Sequence, residues 1–154
     1  MDIRFAASSD IPRIIDLLKQ VGGVHHDLRP DLFRAGAQKY DEAALEALLR
    51  DPSRPIFAAI VDGVLMGYCF CVRQVVEGDS VLCDRKNLYI DDLCVDEACR
   101  GRGIAAALYA HVTDYARREG YDAITLNVWS GNSAEQFYQK MGMKPQKVGM
   151  EFIL

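Results

Sequence analysis

Leu88 to Ala105 reads LYIDDLCVDEACRGRGIA. It is an apolar, strand-like run with two adjacent aspartates that passes through a charged turn and opens a helix at two glycines. Gly101 and Gly103 let the backbone approach a ligand closely and take conformations closed to other residues. A helical pattern follows at once. Ile104, Ala105, Leu108, Val112, Tyr115 and Ala116 recur at helical intervals, and Gly120 stands where a C-terminal stop belongs. The helix N-terminus therefore faces the glycines. Its unpaired amides and its dipole favour an anion there, and Arg100 and Arg102 add positive charge to the same turn. The stretch reads as a pyrophosphate cradle, although the glycines alone would equally suit a solvated basic turn capping a surface helix.

Gly101, Gly103 and Ala106 also fit the dinucleotide fingerprint G-x-G-x-x-G/A. In that fold the first glycine comes almost directly off the strand, and an acidic residue ends the second strand to hold the ribose. Here Asp96 to Arg100 intervene, and Asp122 precedes the apolar run Ala123 to Val128 instead of following it. The GK[ST] ending of a nucleoside-triphosphate loop is missing as well.

Outward from this core, Asp2 to Ala6 reads as a first strand. Ser9 is placed to cap a helix through Val21 with Ile11, Ile14, Ile15 and Leu18 on its apolar face, and Gly22-Gly23 is expected to break it. The span from Val24 to Lys39 is irregular. Asp41 can cap a second helix containing Leu45, Leu48 and Leu49, stopped by Asp51-Pro52. Ile56 to Val61 and Val64 to Val76 flank Asp62-Gly63, a strong hairpin signal that makes these strands antiparallel. Leu88 to Val95, the following helix and Ala123 to Val128 form a crossover unit with parallel strands. A last strand pattern runs from Val148 to Leu154. The fold class is mixed α/β, with antiparallel N-terminal strands and a parallel pair near the middle of the sheet. The 154 residues, half of them hydrophobic, suit a single domain over 1–154.

A net charge of -4 offers no basic face for nucleic acid. The five cysteines are odd in number and lack paired C-x-x-C spacing, so they suit neither zinc nor a secreted disulfide framework, and no metal site is expected. The expectation is a cytoplasmic protein without a membrane partner, since no stretch is long enough to cross a bilayer and the first residues lack a secretory apolar region.

Arg100, Gly103 and Ala105 match the signature of the GNAT superfamily of acetyl-coenzyme A dependent N-acetyltransferases: Gln or Arg, two residues, Gly, one residue, then Gly or Ala. Asn132 to Gly142, NSAEQFYQKMG, resembles that family's fourth-helix motif. The resemblance covers Leu88 to Leu154 well and the N-terminal half only in layout. It implies acetyl-coenzyme A as donor, with its pantetheine arm between two splayed parallel strands. Leu93, Cys94 and Val95 at the strand end, the turn and helix start from Arg100 to Ala105 (Gly101, Arg102, Gly103 and Ile104 included) and Asn132 would bind it. A homodimer agrees with the family and with the prevalence of two-fold symmetry.

An alkylamine near pKa 10.4 is protonated at neutral pH and cannot attack a thioester, so a base is required. Strand alternation puts Asp91 and Asp92 on opposite faces, and the pair reads either as structural and salt-bridged or as catalytic. LYIDDLCV is similar to the matching strand of spermidine/spermine N-acetyltransferases. That match implies Asp91 as base, through water, and Asp92 as a contact for a substrate cation, although the subfamily carries Glu where this chain has Asp91. His25, His26 or Glu151 could serve instead. The two histidines precede Arg29-Pro30 in the irregular segment, where they would touch substrate or simply be solvated. Tyr138 is the candidate acid for the leaving thiolate. Its spacing with Ala134, Phe137 and Met141 fits a core position equally well. The Val95 amide would hold the oxyanion. Cys94, between Asp92 and Asp96, is a poor covalent nucleophile, because neighbouring carboxylates raise a thiol pKa.

The reading is an N-acetyltransferase acting on a primary amine by direct attack. A polyamine or other small amine ranks first as acceptor, an aminoglycoside second and a protein amino group third. The alternative is a coenzyme A binding regulatory module without turnover.

Overall fold

The computed structural model describes residues 1–154. Its sheet has five strands in sequence order: β1 (Asp2–Phe5), β2 (Ile56–Val61), β3 (Val64–Val76), β4 (Arg85–Val95) and β5 (Ala123–Leu126). Neighbours from β1 to β4 are antiparallel, and β5 runs parallel to β4. Helices α1 (Ile11–Leu28) and α2 (Glu42–Leu49) cover one face, and α3 (Ile104–Arg118) covers the other. The short α4 (Ala134–Lys140) follows β5. The mixed α/β class and the parallel crossover agree with the sequence pattern. The parallel pair, however, lies at the sheet edge, because β5 is the last strand.

Each face buries its own apolar cluster. Ile14, Leu17 and Leu18 of α1 meet Ala58, Tyr68, Phe70 and Cys94 on one side. Leu108, Val112 and Ala116 of α3 meet Phe57, Cys69, Cys71, Leu88 and Ile90 on the other. Local signals act as read at several ends. Asp62 and Gly63 have φ of 51° and 78°, the doubly left-handed pair of a tight hairpin turn. The Asp41 carboxylate accepts from the Ala44 amide at the head of α2. Gly120, at φ 68°, ends α3.

Three further expectations of the sequence do not hold. Helix α1 does not break at Gly22-Gly23 but continues to Leu28, so His25 and His26 are helical. A Cβ on Gly22 would lie 2.4 Å from the Ala37 carbonyl oxygen, so this glycine admits close packing of the following connection instead of ending the helix. The pattern from Val148 to Leu154 forms no strand, and its apolar side chains are exposed. Alternation records which side chains could share a face, whereas a strand also needs a neighbour to pair its amides. Asp91 and Asp92 do not sit on opposite faces. Phe70 pairs with Asp92 and Cys71 with Ile90, leaving Asp91 as the extra residue of a β-bulge.

Gly22 and Gly23 should respond oppositely to alanine. Gly23→Ala, with open space around its Cβ position, should gain up to about 1 kcal/mol from helix propensity. Gly22→Ala should lose about 1–3 kcal/mol by overpacking against Ala37. Urea unfolding of the two variants measures both signs.

Candidate active site

The β4–β5 ladder ends at Ile90 opposite Leu126, while β4 runs on to Val95 with nothing paired on that edge. The Asp96 amide donates to the Met66 carbonyl of β3 at 2.9 Å. Since strand amides alternate in direction, those of Val95 and Leu93 point away from β3 into the gap. The gap continues to the turn before α3. There Arg100, Gly101, Arg102 and Gly103 are all exposed, and both glycines take positive φ, 77° and 80°. The amides from Gly101 through Ala106 donate to no group of the chain, with the start of α3 behind them. Such an array, with Arg100 and Arg102 alongside, fits a pyrophosphate. Asp122 offers no help to the dinucleotide reading, because its carboxylate accepts the Lys86 amide at 2.8 Å.

The cradle is tied down by a residue that motif reading passed over. Buried Asp96 accepts from the Ala98 amide through one oxygen, and its other oxygen pairs with Arg13 of α1 and with Gln20. Burial pushes its carboxyl up, but the Ala98 amide and Arg13 outweigh burial and hold it below the usual range.

The bulge aims both aspartates at the α1–α2 face. Asp91 Oδ2 takes a hydrogen bond from Lys39 Nζ at 2.7 Å and from the Tyr40 hydroxyl at 3.3 Å. Asp92 Oδ2 accepts from the Tyr68 hydroxyl at 2.9 Å. Burial raises the Asp92 carboxyl; the Tyr68 hydrogen bond, Lys39 and His25 only partly offset this, and Asp91 adds to it. Tyr40 stacks on Phe70 with ring centroids 5.7 Å apart, which fixes the connection that carries Lys39. Lys39, Tyr40 and Tyr68 carry no motif. Tyr68 sits in the apolar run of β3, and only the strand register brings it to Asp92, whereas Lys39 and Tyr40 lie in the irregular stretch and its end.

Of the two histidines, His25 comes near enough to Asp92 to bias its charge and stacks on Phe33 at 5.0 Å. His26 is turned away, with its Nδ1 2.7 Å from the Phe33 carbonyl oxygen. Glu151 is held at 2.7 Å by Arg29, whose guanidinium lies over Trp129. It is not brought to the aspartates.

Tyr138 approaches from the other face, beside Tyr109 of α3 at 6.4 Å between ring centroids. Its half-buried hydroxyl bonds to no group of the chain, and burial, with Cys69, Asp92 and others adding to it, pushes its pKa up, so it stays protonated. The Asn132 side chain accepts the Ala134 amide at 2.9 Å and opens α4, as the motif implies. A cavity of about 340 Å3 lies between Asn132 and the last turns of α1 at Val24 and Leu28. Cys94 is buried, and its thiol is pushed up to about 12, first by burial and then by Asp92. It is no thiolate at neutral pH.

The sequence model of the acetyltransferase (GNAT) family matches residues 22–143. The chain belongs to that family. Human N-acetyltransferase 8B is 34% identical over 97 residues, covering 56% of this chain and 42% of that protein, so the chain spans less than half of the curated relative. Among solved GNAT-like folds, a tetramutant of the BH1408 protein from Bacillus halodurans superposes with TM-score 0.95 at 29% identity, covering 100% of both chains. Aminoglycoside N-acetyltransferase AAC(6')-Iy, solved with CoA, gives TM-score 0.72 at 18% identity over 99% of this chain and 98% of that one. At that identity the likeness is one of fold. No helix of this GNAT chain is long and apolar enough to cross a membrane.

Asp92 tests whether the site is built for charge at the expense of stability. A carboxyl raised in the folded state makes the fold bind more protons than the unfolded chain between the two pKa values, so stability falls as pH rises through that window. Asp92→Asn keeps an acceptor for Tyr68 without the buried charge. It should be at least as stable as wild type at pH 7 and lose the pH-dependent decline, as read by thermal unfolding from pH 4 to 8.

Proposed function

We propose that this chain transfers the acetyl group of acetyl-coenzyme A to a primary amine by direct attack, and that the acceptor is a small cationic amine of the polyamine kind. The observation that carries this reading is the Lys39–Asp91 contact. An alkylammonium already sits 2.7 Å from a carboxylate at the point where β4 and β5 part, which is the pose an acceptor amine needs. An acceptor ammonium in the same pose would meet Asp91 directly, without the intervening water that the resemblance implies.

Acetyl-coenzyme A supplies a thioester carbonyl, open to attack by an uncharged amine. The chain's residues would do the rest. The amides from Gly101 to Ala106, with Arg100 and Arg102, hold the pyrophosphate by charge and by hydrogen bonds. Leu93, Cys94 and Val95 would form the wall of the gap, and Asn132, just ahead of α4, would contact the pantetheine arm as the family motif implies. The Val95 amide, unpaired on the strand edge, would donate to the carbonyl oxygen as negative charge develops there. Asp91 binds the acceptor ammonium and takes its proton. Asp92 lies behind it on the same face and adds negative charge for the cation. His25 would meet the acceptor's far end, with His26 supporting the wall through Phe33. Tyr138, protonated and unpartnered, gives a proton to the departing thiolate. The buried Cys94 thiol agrees with direct attack and not with an acetyl-enzyme.

Release of free coenzyme A measured against polyamines, aminoglycosides, amino acids and a lysine peptide tests this. Turnover should be fastest with di- and polyamines. Asp91→Asn should reduce kcat/KM by about 100-fold or more and Tyr138→Phe by about 10-fold or more, with coenzyme A affinity kept in both. Release equal in Asp91→Asn and wild type would remove Asp91 from the reaction. Tight coenzyme A binding without release for any amine would leave only the binding-module reading.

A further inference from the structure

The chain's own amine occupies the place that the acceptor would take. Lys39 leaves the connection between α1 and α2, and its Nζ rests on Asp91 Oδ2 at 2.7 Å, with the Tyr40 hydroxyl on the same oxygen at 3.3 Å. Asp91 is the first residue of β4 beyond the last β4–β5 pair, so the ammonium stands at the mouth of the gap. Leu93, whose amide points into that gap, is two residues farther along, or about 7 Å at strand spacing. The Lys39 side chain is 43% exposed. It also lies over the Tyr40 ring face, with Nζ 5.5 Å from the centroid. It is therefore held on Asp91 while still partly open to solvent. Lys39 is also the lysine that pairs with a carboxylate here; Lys86, by contrast, donates to the Glu119 carbonyl and covers the Tyr121 ring.

We propose that Lys39 is a self-acetylation site: with no acceptor bound, the acetyl group passes to Nζ of the same chain. This rests on the transferase reading given above. Lys39 hands one proton to Asp91 Oδ2, which it already touches. The freed lone pair forms a C–N bond to the thioester carbonyl carbon, and the C–S bond breaks as the carbonyl reforms. Of the two protons that leave the ammonium, one ends on the coenzyme A thiolate by way of Tyr138. The other passes through Asp91 to solvent. The products are an uncharged amide and free coenzyme A, with no oxidant or further reactant. Acetylation removes the cation from Asp91, so the modified chain no longer sets its own ammonium against that of an acceptor.

The full chain, as wild type, Lys39→Arg and Asp91→Asn, is incubated with acetyl-coenzyme A and no amine, then peptide-mapped by mass spectrometry. In parallel, wild type is assayed for amine-dependent coenzyme A release, and Asp91→Asn for coenzyme A binding by calorimetry, which verifies its fold. The proposal expects Lys39 to be acetylated about tenfold or more faster than any other lysine, because the reacting groups are pre-oriented. The rate should be independent of protein concentration, and the selectivity for Lys39 should vanish in a coenzyme A-binding Asp91→Asn. Acetylation of Lys39 no faster than of Lys140 or Lys144, while wild type turns over an added amine, overturns self-acetylation alone. No acetyl group on Lys39 together with no release for any amine overturns both this inference and the transferase reading.

Discussion

The arrangement depends on one local constraint: β4 loses its parallel neighbour after Ile90 and takes up an extra residue at Asp91 in the same place. Either feature alone would be less useful. An edge left open would expose amides from a strand of strict alternation, with one aspartate turned to each face. A bulge within a fully paired sheet would have no opening to serve. Together they leave the Leu93 and Val95 amides unpaired while bringing Asp91 and Asp92 to the same side.

The surroundings fit that constraint. Gly67 lies opposite Val95, and a Cβ there would come within 3.0 Å of the Cys94 carbonyl and 3.2 Å of Leu108. The missing side chain thus lets α3 settle close over the strand end. Close settling brings the N-terminus of α3 and its unpaired amides to the end of the gap. Buried Asp96 fastens the turn to α1 through Arg13, so both helical layers are referred to the same strand end. Charge is divided by face. The aspartates and Lys39 lie with α1 and α2, while Tyr138 lies beside α3, so in the proposed reaction the proton acceptor and the proton donor would meet the gap from opposite sides.

The second half of the chain was the more legible in sequence, for physical reasons. Gly101, Gly103 and the run from Ile104 to Ala116 are local signals: positive φ, helical spacing and a stop at Gly120 need no knowledge of distant residues. The Asp62-Gly63 hairpin and the Asp41 cap belong to the same class. The bulge at Asp91 was not legible, since one strand read alone shows a period of two and nothing of its partner's register. Gly22 does not show its role in sequence, because a glycine that ends a helix and one that admits a neighbouring carbonyl look alike until Ala37 is in place. The tail from Val148 has strand alternation but no strand beside it. Lys39 and Tyr40 matter through the position of the connection that carries them, and no spacing rule reaches across the sheet to Asp91.

A crystal structure of the chain with coenzyme A decides where the donor lies. The pyrophosphate should lie on the amides from Gly101 to Ala106 and the pantetheine arm between β4 and β5, with the sulfur between the Asp91–Asp92 face and Tyr138. A pyrophosphate bound elsewhere, or a sulfur outside the β4–β5 gap, would contradict this placement.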